Sequence, residues 1–128
     1  MPMLDHLSLG VTDLARAAAF YDGILAPLGY VRVWSAEDAV GYASPGEEDE
    51  LALKARAGAT GAGAGFHVAF VAPDPAAVRA FHAEALARGG IDDGAPGLRP
   101  RYGPGYYAAF VVDPDGHRIE AVHHFDEV

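Results

Sequence analysis

The chain matches itself when it is shifted by 61 positions, and this repeat constrains the fold more than any other feature of the sequence. Eight identities fall between residues 6–29 and their counterparts. They are His6/His67, Asp13/Asp74, Ala15/Ala76, Ala19/Ala80, Phe20/Phe81, Leu25/Leu86, Ala26/Ala87 and Gly29/Gly90. Such a repeat predicts two copies of one supersecondary unit.

Hydrophobic periodicity assigns the elements within each copy. Alternating residues predict strands at 4–11, 30–34, 40–43, 51–55, 66–71, 106–112 and 118–124. Apolar spacing of three and four predicts two helices, the first capped by Thr12 or Asp13 and the second by Asp74. Residues 91–104 are interpreted as a loop. We therefore expect an α+β fold in which two βαβββ modules, 1–56 and 66–128, form a curved mixed sheet around a cavity. A flexible Ala/Gly linker, 57–65, joins them within one domain, 1–128.

The last predicted strand carries a carboxylate among apolar neighbours. It follows the turn Asp-Pro-Asp-Gly at residues 113–116. Alternation places Glu120 on the same face as Arg118 and His124. Because a carboxylate at such a position is costly without a partner, the chain must supply a cation, a donor or a metal ion.

Two histidines, His6 and His67, occupy matching positions at the start of the two modules. Each faces away from the larger apolar residues of its strand, so a pseudo-twofold pairing would turn both toward a shared cavity that Glu120 can reach. Two imidazoles and one carboxylate suit a divalent first-row metal with open positions. The alternatives are two ordinary half-buried histidines, and an ion pair between Glu120 and Arg118.

The motifs Leu-Asp-His-Leu-Ser-Leu-Gly-Val, an Asp-Leu…Phe-Tyr helix and Asp-Pro-Asp-Gly-His-Arg-Ile-Glu-Ala resemble the vicinal oxygen chelate superfamily. That superfamily includes glyoxalase I, extradiol dioxygenases, fosfomycin-resistance transferases and bleomycin-resistance proteins. The resemblance covers nearly the whole chain and implies the ligands His6, His67 and Glu120 with a divalent Fe, Mn, Ni or Zn ion. Residues 99–120 are most similar to small bacterial glyoxalase-like members.

Glyoxalase I adds a fourth ligand from its fourth strand, which here is predicted at 51–55. By analogy with Glu120, Ala52 takes that position, and Glu50 could serve only if the strand began earlier. We favour Ala52. Three ligands are closer to the dioxygenase and fosfomycin patterns, whereas the bleomycin-resistance branch has none.

Further candidates surround these ligands. Arginine forks bind carboxylate or phosphate, and tyrosine hydroxyls and histidine serve in hydrogen bonding and acid–base work. Since neighbouring strand residues face opposite ways, at most one of Tyr106 and Tyr107 lines the cavity. The catalytic candidates are Tyr106, Tyr107 and His124, and the substrate-binding candidates are Trp34, Arg99, Arg101 and Tyr102.

Composition excludes several classes of function. The formal charge of −9 argues against nucleic acid and anionic membranes as partners, and the absence of cysteine excludes disulfides and thiolate sites. With no apolar span and no signal-like start, we expect a cytoplasmic protein. Unpaired sheet edges favour a homodimer.

Three functions remain. The first is a metalloenzyme that chelates a small oxygenated substrate, of the lyase or dioxygenase kind. The second is a non-catalytic binding protein for a small aromatic molecule, as in drug sequestration. The third is a structural domain without a site. The sequence also contains no GxSxG, P-loop, HExxH or dinucleotide fingerprint.

Overall fold

A computed structural model describes residues 3–125 and confirms an α+β fold of two similar βαβββ modules. The first module comprises β1 (Leu7–Val11), α1 (Leu14–Leu25), β2 (Val31–Ser35), β3 (Ala39–Ala43) and β4 (Leu51–Ala55). The second comprises β5 (Val68–Val71), α2 (Pro75–Ala87), β6 (Ile91–Leu98), β7 (Tyr106–Val112) and β8 (Arg118–His124). Single 3₁₀ turns span Ala26–Leu28 and Pro100–Tyr102.

The two modules share one strand topology. Each forms its own four-stranded sheet, in the orders β1-β4-β3-β2 and β5-β8-β7-β6. In both sheets the first strand pairs in parallel with the fourth, and the remaining pairs are antiparallel. The repeat in the sequence is therefore a repeat in structure.

The two helices begin 61 residues apart for the same reason. Asp13 accepts a hydrogen bond from the Arg16 backbone N–H at 3.1 Å, and Asp74 accepts one from the Ala77 N–H at 2.8 Å. Each carboxylate satisfies a donor that the first helical turn leaves free. Of the two candidates for the first cap, Thr12 and Asp13, the structure selects Asp13, and the predicted cap at Asp74 is confirmed.

A single core joins the modules. The helices α1 and α2 pack against each other, and each also packs on its own sheet. The inner faces of both sheets contribute to the same buried cluster, for example Leu9, Leu53, Val111 and Ile119. The opposite face of each sheet points away from the helices, and these outward faces are the ones available for a site.

The sequence analysis was wrong about residues 91–104, because Ile91–Leu98 forms strand β6. Its sequence, IDDGAPGL, has low β-propensity, and the strand pairs with β7 only through two register shifts. It lies at the sheet edge, where proline and bulges are tolerated. Strands β1 and β5 also begin later than predicted, so His6 and His67 each immediately precede their strand.

The turn before β8 attaches the second module to the first. Asp115 accepts hydrogen bonds from the Thr12 N–H at 3.0 Å and the Thr12 hydroxyl at 2.8 Å. The His117 Nε2 lies 2.7 Å from the Gly10 carbonyl oxygen. The end of β1 is therefore held beside the start of β8.

The linker 57–65 also crosses between modules. Gly10 faces Ala59, with only 3.2 Å between a Cβ built at Gly10 and that side chain. A Cβ built at Gly61 would lie 2.1 Å from the Gly116 carbonyl oxygen, so only glycine permits this approach. The linker thus packs against both modules.

None of the helices in the described range, residues 3–125, is long and apolar enough to cross a membrane.

Candidate functional site

The outward face of the second sheet carries a fully buried carboxylate. Glu120 is 0% exposed. Its Oε1 lies 2.9 Å from the His67 Nε2, and its Oε2 accepts a hydrogen bond from the Tyr106 hydroxyl. The sequence requirement that Glu120 have a polar partner is therefore met by two side chains.

Strand register brings these groups together. Glu120 on β8 stands between Ala69 on β5 and Phe110 on β7. His67 lies two residues before Ala69 and therefore shares its face, and Tyr106 lies four residues before Phe110. The His67 and Phe110 rings are 6.3 Å apart.

Tyr106 is held in its protonated form. Burial raises the pKa of the Tyr106 hydroxyl above its ordinary value, the hydrogen bond to Glu120 raises it further, and the Arg99 charge acts in the opposite direction. At neutral pH this hydroxyl is consequently a hydrogen-bond donor and not a base.

His6 does not join His67 and Glu120 within the chain. Its Nδ1 bonds Asp5 at 2.8 Å, and it lines a cavity of about 260 Å³ together with Glu50 and Val71. Among residues 3–125, no three His, Asp, Glu or Cys side chains are grouped so that they could hold a metal. The expectation that the two histidines face each other in one cavity of one chain is therefore not met.

The relative direction of the first strands explains this separation. The start of β1 shares the His6 cavity with residues 68–71 of β5. The end of β1, at Gly10, lies instead beside His117, two residues from Ile119, the partner of Val68. The strands thus run side by side in opposite directions, and His6 and His67 lie at opposite ends.

Ala52 occupies the position in the first module that Glu120 has in the second. Ser8 pairs with Ala52 on β4, and Ala69, which is Ser8 shifted by 61, pairs with Glu120 on β8. Glu50 precedes β4. The analogy drawn from the sequence therefore agrees with the strand pairing.

The two predicted tyrosines are separated as expected. Tyr106 shares the Glu120 face, whereas Tyr107 lies on the helix side, where its hydroxyl accepts a hydrogen bond from Arg79 at 3.3 Å. The His124 ring stands edge-on to Tyr106, with centroids 5.1 Å apart. His124 and Tyr106 are thus on the face that holds Glu120, and Tyr107 is not.

The arginines differ in their surroundings. Arg99 lies over the Phe110 ring at 5.4 Å, whereas Arg101 lies over the exposed Tyr102 ring at 5.1 Å. Arg118 pairs with Asp93 at 3.3 Å and so is not the partner of Glu120.

Trp34 belongs to the other sheet. It pairs with Gly41, and a Cβ at Gly41 would come within 2.2 Å of its indole nitrogen. Its ring therefore packs on the outward face of the first sheet, the face that carries Ala52.

The sequence analysis assigned no partners to the polar residues at 113–117. Asp113 accepts a 2.6 Å hydrogen bond from the buried Tyr21 hydroxyl and also binds the N–H groups of Asp115 and His117. The available signal was the density of polar residues in a turn between two buried strands. These residues position the β7–β8 hairpin, which carries Tyr106 and Glu120.

Two βαβββ modules, each with its first strand parallel to its fourth, place the chain in a class of two-module α+β folds. A family model described as the Glyoxalase/Bleomycin resistance protein/Dioxygenase superfamily matches residues 3–121. The chain belongs to this superfamily.

Solved structures support the assignment. A glyoxalase/bleomycin resistance protein from Albidiferax ferrireducens T118 is 32% identical with a TM-score of 0.82, over 97% of this chain and 100% of that one. FosX, a genomically encoded fosfomycin resistance protein from Listeria monocytogenes, is 19% identical with a TM-score of 0.70, over 98% and 95%.

A glyoxalase/bleomycin resistance protein/dioxygenase family enzyme from Burkholderia phytofirmans PsJN is 17% identical, with a TM-score of 0.71 over 94% of this chain and 97% of that one. The last two likenesses concern the fold alone. No curated protein sequence matches.

Proposed function

We propose that the protein is a metal-dependent enzyme that chelates a small oxygenated substrate. His67 and Glu120 of one chain would hold a divalent Fe, Mn, Ni or Zn ion together with His6 of a second copy. The observation that carries the proposal is the fully buried Glu120 carboxylate, with the His67 ring nitrogen 2.9 Å away.

The donor set fits such an ion. Imidazole nitrogen and carboxylate oxygen together are the ligands of divalent first-row metals in sites that keep positions open for substrate. Glu120 has no ion-pair partner other than His67 within the described residues. A cation at this position would compensate the cost of burying the carboxylate.

A second copy supplies what one chain lacks. The helices fill the space between the two sheets, so both outward faces are left without a partner in the chain. They expose large apolar side chains, among them Val71 at 68% and Trp34 at 37%. In a twofold dimer the first module of each copy would cover the second module of the other, giving two equivalent sites.

The chain's own residues have distinct parts in this chemistry. A divalent ion bound here would act as a Lewis acid toward a substrate oxygen. Tyr106, whose hydroxyl stays protonated, orients Glu120 and can donate a hydrogen bond to substrate. The exposed His124 beside it is the candidate proton acceptor, since an imidazole nitrogen can serve as a general base.

Metal content tests the proposal directly. Protein purified without chelator should hold about one divalent ion per chain, and His6→Ala, His67→Ala and Glu120→Gln should each lose most of it. His82→Ala is the matched control, because His82 pairs with Asp92 away from this face. Metal-free wild-type protein that is folded would refute the proposal.

Mixed dimers distinguish a shared site from one within a chain. In a heterodimer of His6→Ala and Glu120→Gln chains, one site would keep all three ligands and the other would lose two. The heterodimer should therefore hold about half of the wild-type metal, while both parent homodimers hold almost none. No metal in the heterodimer would exclude a site shared between copies.

A second candidate function is non-catalytic binding of a small aromatic molecule. A group of neighbouring aromatic rings favours it, since the Tyr102 and Tyr106 rings lie 5.2 Å apart and the His124 ring stands edge-on to Tyr106. Bleomycin is a suitable probe. Binding that is unchanged by chelator and by Glu120→Gln would support sequestration over catalysis.

A further inference from the structure

We propose that Arg99 is a specificity-determining residue that anchors an oxyanion of the substrate. The class of substrate is thus a small molecule with a carboxylate, phosphate or phosphonate group at one end. This inference rests on the proposed function for the location of the site, but it does not require that a metal be bound.

The Arg99 guanidinium is fixed in place by backbone carbonyls. Its Nη1 donates to the Gly97 oxygen at 3.0 Å, and its Nη2 donates to the Ala95 oxygen at 2.6 Å. Its central carbon lies 5.4 Å from the centroid of the Phe110 ring. A half-buried guanidinium held on three sides loses little freedom when it binds a ligand.

Two glycines of β6 make room for this guanidinium. A Cβ at Gly94 would lie 3.2 Å from Nη2 and 2.9 Å from the Phe110 ring, and a Cβ at Gly97 would lie 3.2 Å from Nη1. Gly94 also has φ of +156°, a conformation that other residues rarely adopt. The absence of side chains at Gly94 and Gly97 therefore leaves the space that the Arg99 guanidinium occupies.

The positive charge of Arg99 is left without an acidic partner. Within residues 3–125, no Asp or Glu oxygen lies within 4.0 Å of it, although the chain carries 18 acidic residues against 9 basic ones. Four other arginines do pair with carboxylates; they are Arg16, Arg32, Arg88 and Arg118. Since carbonyls occupy only two of its five N–H donors, Arg99 keeps donors for an anion.

Arg99 is also near the groups that would carry the chemistry. Phe110, on which it lies, is the cross-strand partner of Glu120, and the Arg99 backbone N–H donates a hydrogen bond to the Tyr106 carbonyl oxygen at 2.8 Å. An oxyanion bound to Arg99 would leave the rest of a small molecule against Tyr106 and Glu120. Arg101 has no such setting, because it lies on the exposed Tyr102 ring.

Calorimetric titration of the full-length protein with methylphosphonate, and separately with benzoate, tests the inference. The protein is first freed of metal with chelator, so that failure to bind metal and failure to bind an anion give different results. We expect at least one probe to bind wild-type protein, and Arg99→Met to weaken that binding about tenfold or more. Arg56→Met should change it less than about twofold, because Arg56 is an exposed arginine of the first module whose Nη1 bonds the Ala55 oxygen.

Arg99→Lys keeps the charge but loses the fork, and should weaken binding by an intermediate factor. This variant also carries the test if Arg99→Met fails to fold, which circular dichroism would show. Stronger binding of methylphosphonate than of benzoate assigns a tetrahedral oxyanion, and the reverse order assigns a carboxylate. Equal affinity in wild type and both Arg99 variants, or no binding of either probe to wild type, would overturn the proposal.

Discussion

On the outward face of each sheet, an aromatic residue is paired with a glycine across the edge strand and its neighbour, but the two sheets place the pair in opposite order. In the first sheet an aromatic ring on the edge strand, Trp34, pairs with Gly41 on the next strand. In the second sheet the edge strand has the glycine, Gly94, and the next strand has the ring, Phe110. The exchange moves the aromatic ring from the edge of the sheet to the strand beside β8.

The residue that stands beside this pair on the fourth strand of each module also differs. Gly41 stands beside Ala52, and Phe110 stands beside Glu120. With glycine at its edge, the second sheet has room for Arg99, whereas the first sheet is covered by Trp34. One module therefore presents a carboxylate with polar partners, and the other presents an apolar wall.

The largest expected effect comes from placing an acid at the equivalent position of the first module. Ala52 is 2% exposed, its cross-strand neighbours are Ser8 and Gly41, and the cation on its face of β4 is Lys54, two residues along. Ala52→Glu should lower the free energy of unfolding by about 3 kcal/mol, because the new charge is buried with no partner directly opposite it. Urea unfolding measures this loss.

Ala83→Glu is the matched control, because it puts the same charge in place of an alanine at an exposed position of α2, away from both outward faces. It should change stability by less than about 0.5 kcal/mol. Equal losses in the two variants would mean that burial at position 52 does not set the cost of the added charge.

The second effect concerns one helical position that the modules use differently. Tyr21 and His82 are equivalent by the 61-residue shift, but Tyr21 bonds Asp113 of the other module while His82 bonds Asp92 of its own. Tyr21→Phe should cost about 2 kcal/mol, because the buried Asp113 carboxylate loses a donor.

Denaturant unfolding of Tyr21→Phe alongside Tyr42→Phe sharpens this point. The Tyr42 hydroxyl also bonds a carboxylate, that of Asp22, but within its own module and at a half-exposed site. A loss for Tyr21→Phe no larger than that for Tyr42→Phe would argue against a special contribution from the contact between modules.

The third effect tests the exchanged aromatic pair. Gly94→Ala forces a side chain onto a backbone with φ of +156° and against the Phe110 ring, so it should cost about 1–2 kcal/mol. Gly41→Ala has no positive φ to accommodate, and Trp34 can turn outward since it is 37% exposed.

Thermal unfolding measures the stability of the two variants, and fluorescence measures the change around Trp34. Trp34 is the only tryptophan, so its emission reports its own position. We expect Gly41→Ala to shift that emission with little loss of stability, and Gly94→Ala to lose stability with unchanged emission. The reverse pattern would show that the two pairs are not structural counterparts.

Much of this comparison could be anticipated from sequence. The repeat predicted two modules, and the capping residues Asp13 and Asp74 predicted where both helices begin. Alternation placed Glu120 and His124 on one face and turned Tyr106 and Tyr107 opposite ways, because a strand's period of two depends only on local geometry. Strand β6 was missed since its stability comes from pairing with β7 and not from its own residues.

The remaining features depend on contacts between distant parts of the chain. The separation of His6 from His67 follows from how the modules pack, and that packing rests on pairs such as Thr12 with Asp115, 103 residues apart. The exchange of Trp34 and Gly41 for Gly94 and Phe110 requires the register of strands that contain bulges. No local pattern encodes either feature.

The smallest expected effect is the dependence of stability on pH from the His82–Asp92 pair, the counterpart of Tyr21–Asp113. The hydrogen bond from His82, followed by that from the Gly94 N–H, holds the pKa of the Asp92 carboxyl below its ordinary value. A lowered folded-state pKa means that the contribution is present above the ordinary pKa of Asp and disappears as the pH falls through the lowered value. Asp92→Asn should therefore melt slightly below wild type at pH 7.

Melting curves from pH 7 down to pH 2 follow this difference, which should vanish toward the acid end. Asp93→Asn is the control on the same strand, because the Asp93 carboxylate pairs with Arg118 instead of a histidine. Because the Asp92 carboxyl is exposed, solvent screening keeps the effect below that of Tyr21→Phe, whose partner is buried. If the melting difference between Asp92→Asn and wild type persists unchanged at pH 2, it comes from the geometry of the asparagine side-chain amide and not from the charge of Asp92.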